Sequence, residues 1–97
     1  MYSSILLDIV TRELRDTGYD QRESRFPDNI ISTCLYWSKY CLIVDILQDE
    51  DECCITSKQL SCIYAYYEDD VEEVAMEIVG LLKNIINDPK NNKILSL

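Results

Sequence analysis

Apolar residues recur along most of this chain at spacings of three and four, the period of an amphipathic helix. Leu6, Val10 and Leu14 form one such stripe with Ile5 and Ile9 beside it, which predicts a first helix over residues 3–17 that stops at Gly18. Residues 18–28, GYDQRESRFPD, are polar and mixed in charge, and Pro27 disfavours helix at Phe26. They predict a loop, with Asp28 capping the next element. From Asn29 to Gln48, Ile30, Cys34, Trp37, Cys41 and Val44 step by four and three, and Ile31, Leu35, Leu42 and Ile46 widen the stripe. That predicts a second helix over 29–48, with a buried strand as the rival reading at CLIVDIL, residues 41–47. The run DEDE at 49–52 is unfavourable at the negative end of a helix dipole, so the helix should end before it.

Next, ITSKQL carries a helix start signal, with Thr56 as cap, Gln59 completing a capping box and Ile55 with Leu60 as a hydrophobic staple. Beyond it, Leu60, Tyr64, Tyr67, Val71, Val74, Ile78, Leu81 and Ile85 alternate by four and three, a heptad seam without a phase change. The seam predicts one helix over 57–87 and places Tyr64 and Tyr67 in the core. A competing reading breaks this helix at Glu68-Asp69-Asp70, where Asp69 or Asp70 would cap a separate helix and Glu72 or Glu73 would complete a second capping box. Asn87, Asp88 and Pro89 end the element, and residues 88–97 are a frayed tail or one docked through Ile94, Leu95 and Leu97.

These elements predict an all-α fold, a small bundle of three or four helices in a single domain over residues 1–97. In it the helices at 29–48 and 57–87 form an antiparallel hairpin, and the first helix closes the core. Composition agrees with this. Hydrophobic residues make up 47% of the 97-residue chain, which argues against disorder, and two glycines and two prolines are few for a turn-rich β fold. The opening residues MYSSILLDIVTRELR lack a basic leader and Asp8 interrupts their apolar run, so no signal peptide is expected. No apolar run approaches the length of about 20 residues that spans a bilayer. Five cysteines, Cys34, Cys41, Cys53, Cys54 and Cys62, follow no disulfide framework and suit a reducing, cytoplasmic setting.

Charge changes the picture more. The net charge is −9, and residues 41–77 hold eleven acids against Lys58 alone. Such a surface repels nucleic acid and anionic membrane and attracts basic proteins. The arginines Arg12, Arg15, Arg22 and Arg25 are matched by Glu13, Asp16, Asp20 and Glu23, so direct nucleic-acid binding is not expected.

Catalytic chemistry finds little support. Histidine is absent, which removes the commonest general base and metal ligand. Cys53-Cys54 has no second pair at zinc-ligand spacing, and the acidic runs lack the alternating oxygen ligands of a calcium loop. No enzyme activity, cofactor or metal is therefore expected. A redox role for Cys53 or Cys54 would require reactive loop thiols, and the neighbouring acids should make them less reactive.

What remains is a binding surface. On the helical phase of the seam, Tyr66 points outward with Asp69, Asp70, Glu73 and Glu77, and Gly80 follows on the same row, where it would let a partner approach closely. An aromatic ringed by carboxylates has the composition of a protein hot spot facing arginine or lysine. A solvated helix face is the bland alternative. The expected function is a small acidic inhibitor or immunity-type protein that masks a basic, nucleic-acid-binding or toxin-like partner, its carboxylates mimicking phosphates. Tyr66, Asp69, Asp70, Glu73 and Glu77, with Asp49, Glu50, Asp51 and Glu52, would make the contact. The alternative is a helical assembly module, chaperone or adaptor acting through an exposed heptad seam, with homodimerisation as one form of it.

Overall fold

The computed structural model describes residues 2–27, 30–48, 51–58, 60–65 and 70–88. Helix α1 (Tyr2–Glu13) is followed by strands β1 (Asp20–Phe26), β2 (Ile30–Trp37), β3 (Leu42–Leu47), β4 (Glu52–Thr56) and β5 (Ser61–Ala65), and then by helix α2 (Val71–Ile86). The strands form one antiparallel sheet in the order β1-β2-β3-β4-β5, each paired with its neighbour in the chain. This overturns the all-α bundle. The fold is mixed, a five-stranded meander with a helix at either end.

The first helix forms on the predicted stripe but ends at Glu13, four residues short of the predicted end at residue 17. Leu6, Ile9 and Val10 are buried on one face of α1, and Leu14 is buried just beyond it. A short 3-10 turn at Arg15–Thr17 then ends at Gly18, whose φ of 81° is the left-handed conformation that glycine adopts at least cost.

The polar stretch after Gly18 is strand β1 rather than a loop. Its seven residues pair from Asp20↔Tyr36 to Phe26↔Ile30. Nothing in its own pattern marks it, because it is an edge strand exposed at every position from Asp20 to Arg25. The pairing with β2 makes it a strand, and Pro27, which has no N–H to donate, follows its last residue.

The predicted helix over 29–48 is instead β2, a 3-10 turn at Ser38–Tyr40, and β3. Two periodicities coexist in this segment. Along β3, Leu42, Val44 and Ile46 are fully buried while Ile43, Asp45 and Leu47 are half-buried, the period of two. Because the second face also carries Ile43 and Leu47, the apolar run looks continuous and accommodates a helical stripe as well. The β-branched and aromatic content of ISTCLYW and LIV fits a pleated surface better than a helix.

The predicted helix over 57–87 divides in two. Ile55 and Thr56 end strand β4, with Ile55 buried, and Ser57, Lys58 and Leu60 lie in the connection between β4 and β5, not at a helix start. There the Ser57 N–H donates to the Leu60 carbonyl at 2.7 Å, and the Leu60 N–H donates to Ser57 Oγ at 3.1 Å. Leu60 and Tyr64 belong to this hairpin region, while Val71, Val74, Ile78, Leu81 and Ile85 of the seam lie on α2. Val74 and Ile78 are buried, and Val71, Leu81 and Ile85 pack partly buried against the core. Tyr67, Gln59 and the tail residues Ile94, Leu95 and Leu97 lie outside the described residues.

The scarcity of glycine did not prevent hairpins. Cys41 (φ 49°) and Asp51 (φ 46°) take the left-handed conformation at the β2–β3 and β3–β4 connections. Aspartate tolerates that region better than most residues, whereas Cys41 is held there by the turn in which its N–H donates to the Ser38 carbonyl at 3.3 Å.

A single apolar cluster joins both helices to one face of the sheet. It contains Leu35 and Trp37 of β2, Leu42, Val44 and Ile46 of β3, Cys53 and Ile55 of β4, and Val74, Ala75, Ile78, Val79, Leu82 and Ile86 of α2. Full burial of a leucine or isoleucine stabilises the fold by about 1.5–3 kcal/mol, so this layer dominates. Trp37 locks one end of it. Its indole Nε1 donates to Thr17 Oγ1 at 2.8 Å, and its ring lies 5.4 Å from that of Tyr19 at a tilt of 59°.

Candidate functional site

Helix α2 carries the acidic surface that the sequence singles out. It begins where the local chemistry dictates: Asp70 Oδ1 accepts from the Glu72 N–H at 2.9 Å, and Glu72 and Glu73 occupy the first turn, where the dipole favours negative charge. This is the competing reading, a cap at Asp70, although a strand and not a helix precedes it. Burial of Val74, Ala75, Ile78, Val79 and Leu82 turns the opposite side outward. Asp70, Glu72, Glu73, Glu77 and Gly80 are all exposed, and Met76 keeps 50% of its surface in solvent.

Glu73 and Glu77 are one helical turn apart on the same row. With Val74 and Met76 they line an open surface groove of about 610 Å³ among the described residues. A second, smaller groove of about 230 Å³ is lined by Ile9, Arg12 and Glu13 of α1 and by Glu72 and Met76 of α2. The C-terminal turn of α1 therefore lies beside the N-terminal turn of α2, and Arg12 shares its groove with two carboxylates. Met76 lines both spaces, so the outer side of α2 offers an apolar side chain flanked by acids.

The predicted contact residues do not all gather here. Asp70, Glu73 and Glu77 are together on α2. Tyr66, Asp69, Asp49 and Glu50 lie outside the described residues. Asp51 occupies the β3–β4 connection, and Glu52 opens β4, paired with Leu47 on one side and Ala65 on the other. Alternation along β4 points Cys53 and Ile55 into the core and Glu52 to the far face. Contiguous acid in the chain is thus divided between two sides of the sheet.

That far face is the surface which sequence reasoning missed. It carries no helix among the described residues. Arg22, Cys34, Asp45, Cys54 and Ile63 form one row straight across all five strands. Tyr36 is 39% exposed and Ile63 64% exposed on this side. The alternation within LIVDIL was the available signal, since it separates Ile43, Asp45 and Leu47 from the core residues between them.

The cysteines are strand and turn residues, not helix or loop residues. Cys53 is fully buried among apolar side chains on β4, and burial pushes its thiol up to about 12. Neighbouring thiols and Asp45 add to the shift, so burial rather than the adjacent DEDE run sets its character. Cys34 is also raised, first by burial and then by Asp45 across the strand pair. Cys41 is exposed. Among the described residues no group of three His, Cys, Asp or Glu side chains could hold a metal ion, and no helix is long and apolar enough to cross a membrane. No family model matches the chain, and no curated protein or solved structure matches it either.

Proposed function

We propose that this chain is a small cytoplasmic binding protein, not an enzyme, which masks a basic surface of a protein partner with the carboxylates of α2. The observation that carries the reading is the arrangement of Glu73 and Glu77 around Val74 and the half-exposed Met76 along the open groove of α2. An apolar side chain ringed by charge suits the aliphatic stem and cationic head of lysine or arginine. Asp70 and Glu72 extend the same negative surface toward the start of the helix. A nucleic-acid-binding or toxin-like protein presents such a basic face, with carboxylates taking the place of phosphates. The chain's charge of −9 would speed the encounter at low ionic strength.

Burial of Val74 and Ile78 within the chain favours this reading over an assembly module that would offer the heptad seam to another helix. Affinity capture from native lysate at low salt, followed by a salt step, tests it. The wild-type chain should release a basic protein at the salt step, and the variant combining Glu73→Lys with Glu77→Lys should not retain it. Equal retention by both chains would remove α2 as the contact.

A further inference from the structure

Helix α2 presents one continuous stripe to solvent. Glu73, Met76, Glu77 and Gly80 follow the spacing i, i+3, i+4, i+7 that places residues on one side of a helix, and Lys83 and Asn84 continue it; all six are exposed. The stripe changes sign along its length. Glu73 and Glu77 stand before Gly80, and Lys83, the one base of α2, stands after it. Glu77 precedes Gly80 by three residues and Lys83 follows it by three, so the stripe turned end for end about Gly80 sets acid against base twice. Among the described residues neither Glu77 nor Lys83 forms an ion pair within its own chain.

We propose that two copies of the chain associate through this stripe, α2 against α2, antiparallel about a two-fold axis at Gly80. Each Glu77 then lies level with Lys83 of the other copy, and Met76, 50% exposed in the single chain, lies level with the other copy's Asn84. Glu77 and Lys83 occupy opposite flanks of the stripe, and a left-handed helix crossing of about 20° turns those flanks toward each other. Gly80 supplies the room. Nothing stands within 4 Å of where its Cβ would be, so at the axis the two backbones can approach without side chains between them. In each copy both helices lie on one face of the sheet, so the dimer is layered sheet, helices, helices, sheet. A face that meets itself closes at two.

Charge complementarity selects this occupant. The basic partner proposed above engages the acidic half of the stripe alone, whereas the reversed stripe complements both halves. The net charge of −9 repels one copy from another at long range, yet at physiological ionic strength that repulsion decays over a Debye length of about 8 Å, while the two ion pairs form at contact. Lys83 of the second copy takes the position beside Glu77 that the proposed function gives to a base of the partner. The dimer therefore keeps that site closed until the partner displaces it, a consequence that, unlike the dimer itself, rests on that function.

Sedimentation equilibrium of the full chain alone, up to about 100 µM in about 0.15 M salt, tests the dimer in the absence of any partner. Wild type should show a monomer–dimer equilibrium. Glu77→Lys replaces both ion pairs by opposed lysines and should weaken the dimer roughly tenfold or more, although it makes the net charge of −9 less negative by two and so reduces the long-range repulsion. Lys83→Glu should weaken it likewise. Combining the two substitutions restores both pairs with their signs exchanged and leaves the net charge unchanged, so the double variant should recover dimerisation. Both positions are exposed, and thermal melts should show every variant folded. A wild-type mass fixed at 11.3 kDa, a Glu77→Lys dimer as tight as wild type or tighter, or a double variant no tighter than the single ones overturns the proposal. A monomeric chain that still captures a basic protein overturns the dimer and leaves the binding function standing, and a dimer that captures none does the reverse.

Discussion

Trp37 and Thr17 show how much one polar contact can specify. The indole is 1% exposed, and its N–H donates to a hydroxyl that itself donates to the Leu14 carbonyl at 2.6 Å, so the turn after α1 is tied to the end of β2. Thr17→Val keeps the side-chain shape but leaves the indole donor buried and unmet, which should cost about 1–2 kcal/mol in urea denaturation followed by the fluorescence of this single tryptophan. Cys53 supplies a pH dependence. Its unfolded thiol ionises near 9.0 and its folded thiol near 12, so between those values the unfolded chain has released a proton that the folded chain keeps. Stability is therefore fully present below about pH 9 and should fall above it, by up to about 1 kcal/mol per pH unit. Cys34 and Tyr64, both raised chiefly by burial, act in the same direction. Urea midpoints compared at about pH 8 and about pH 10.5 should show the loss, and Cys53→Ala should reduce it.

Among the elements, α2 is the one whose local signals and tertiary role coincide. Its cap, its acidic first turn and its apolar stripe all specify a helix beginning at Val71. Asp70→Ala should cost about 1 kcal/mol by leaving an N-terminal amide without its acceptor. Gly80 offers the opposite test. It is exposed in the helix interior with nothing within 4 Å of where a Cβ would stand, so Gly80→Ala should raise stability by about 0.5–1 kcal/mol in thermal melts. If a partner backbone approaches α2 at this position, the same substitution should lower affinity, separating the two effects in one variant. The strands behave differently. β1 has no apolar periodicity of its own and exists through its ladder to β2. β3 is specified by alternation, which a half-apolar outer face obscures.

At the scale of the whole molecule, the sheet determines where charge goes. Acid that is contiguous in the chain is separated because strand residues alternate between faces and α2 lies on only one of them. Asp45 and Glu52 face away from the helices, whereas Glu72, Glu73 and Glu77 lie on the helical layer. Charge reversal at Glu73 and Glu77 should therefore flatten the salt dependence of partner binding, while Asp45→Asn, on the far side, should leave it unchanged in titrations across ionic strength.

Sequence alone determined the features that depend on near neighbours. These are the apolar stripe of α1 and the left-handed Gly18 a turn beyond its end, the apolar stripe of α2 with an aspartate cap at its start, the bar to helix before Pro27 and the acidic bias of residues 41–77. Such features arise from side chains three or four positions apart or from one residue's backbone preference, and they are written locally. Tertiary structure decided the rest. Residues 29–48 satisfy a helical spacing and a strand alternation at once, and the cross-strand pairs Cys34↔Asp45 and Asp45↔Cys54 resolve the ambiguity by joining residues distant in the chain. β1, the open sheet face and the division of the acid between two surfaces have the same origin. A ladder hydrogen bond belongs to two strands together, and neither strand's own sequence contains the other.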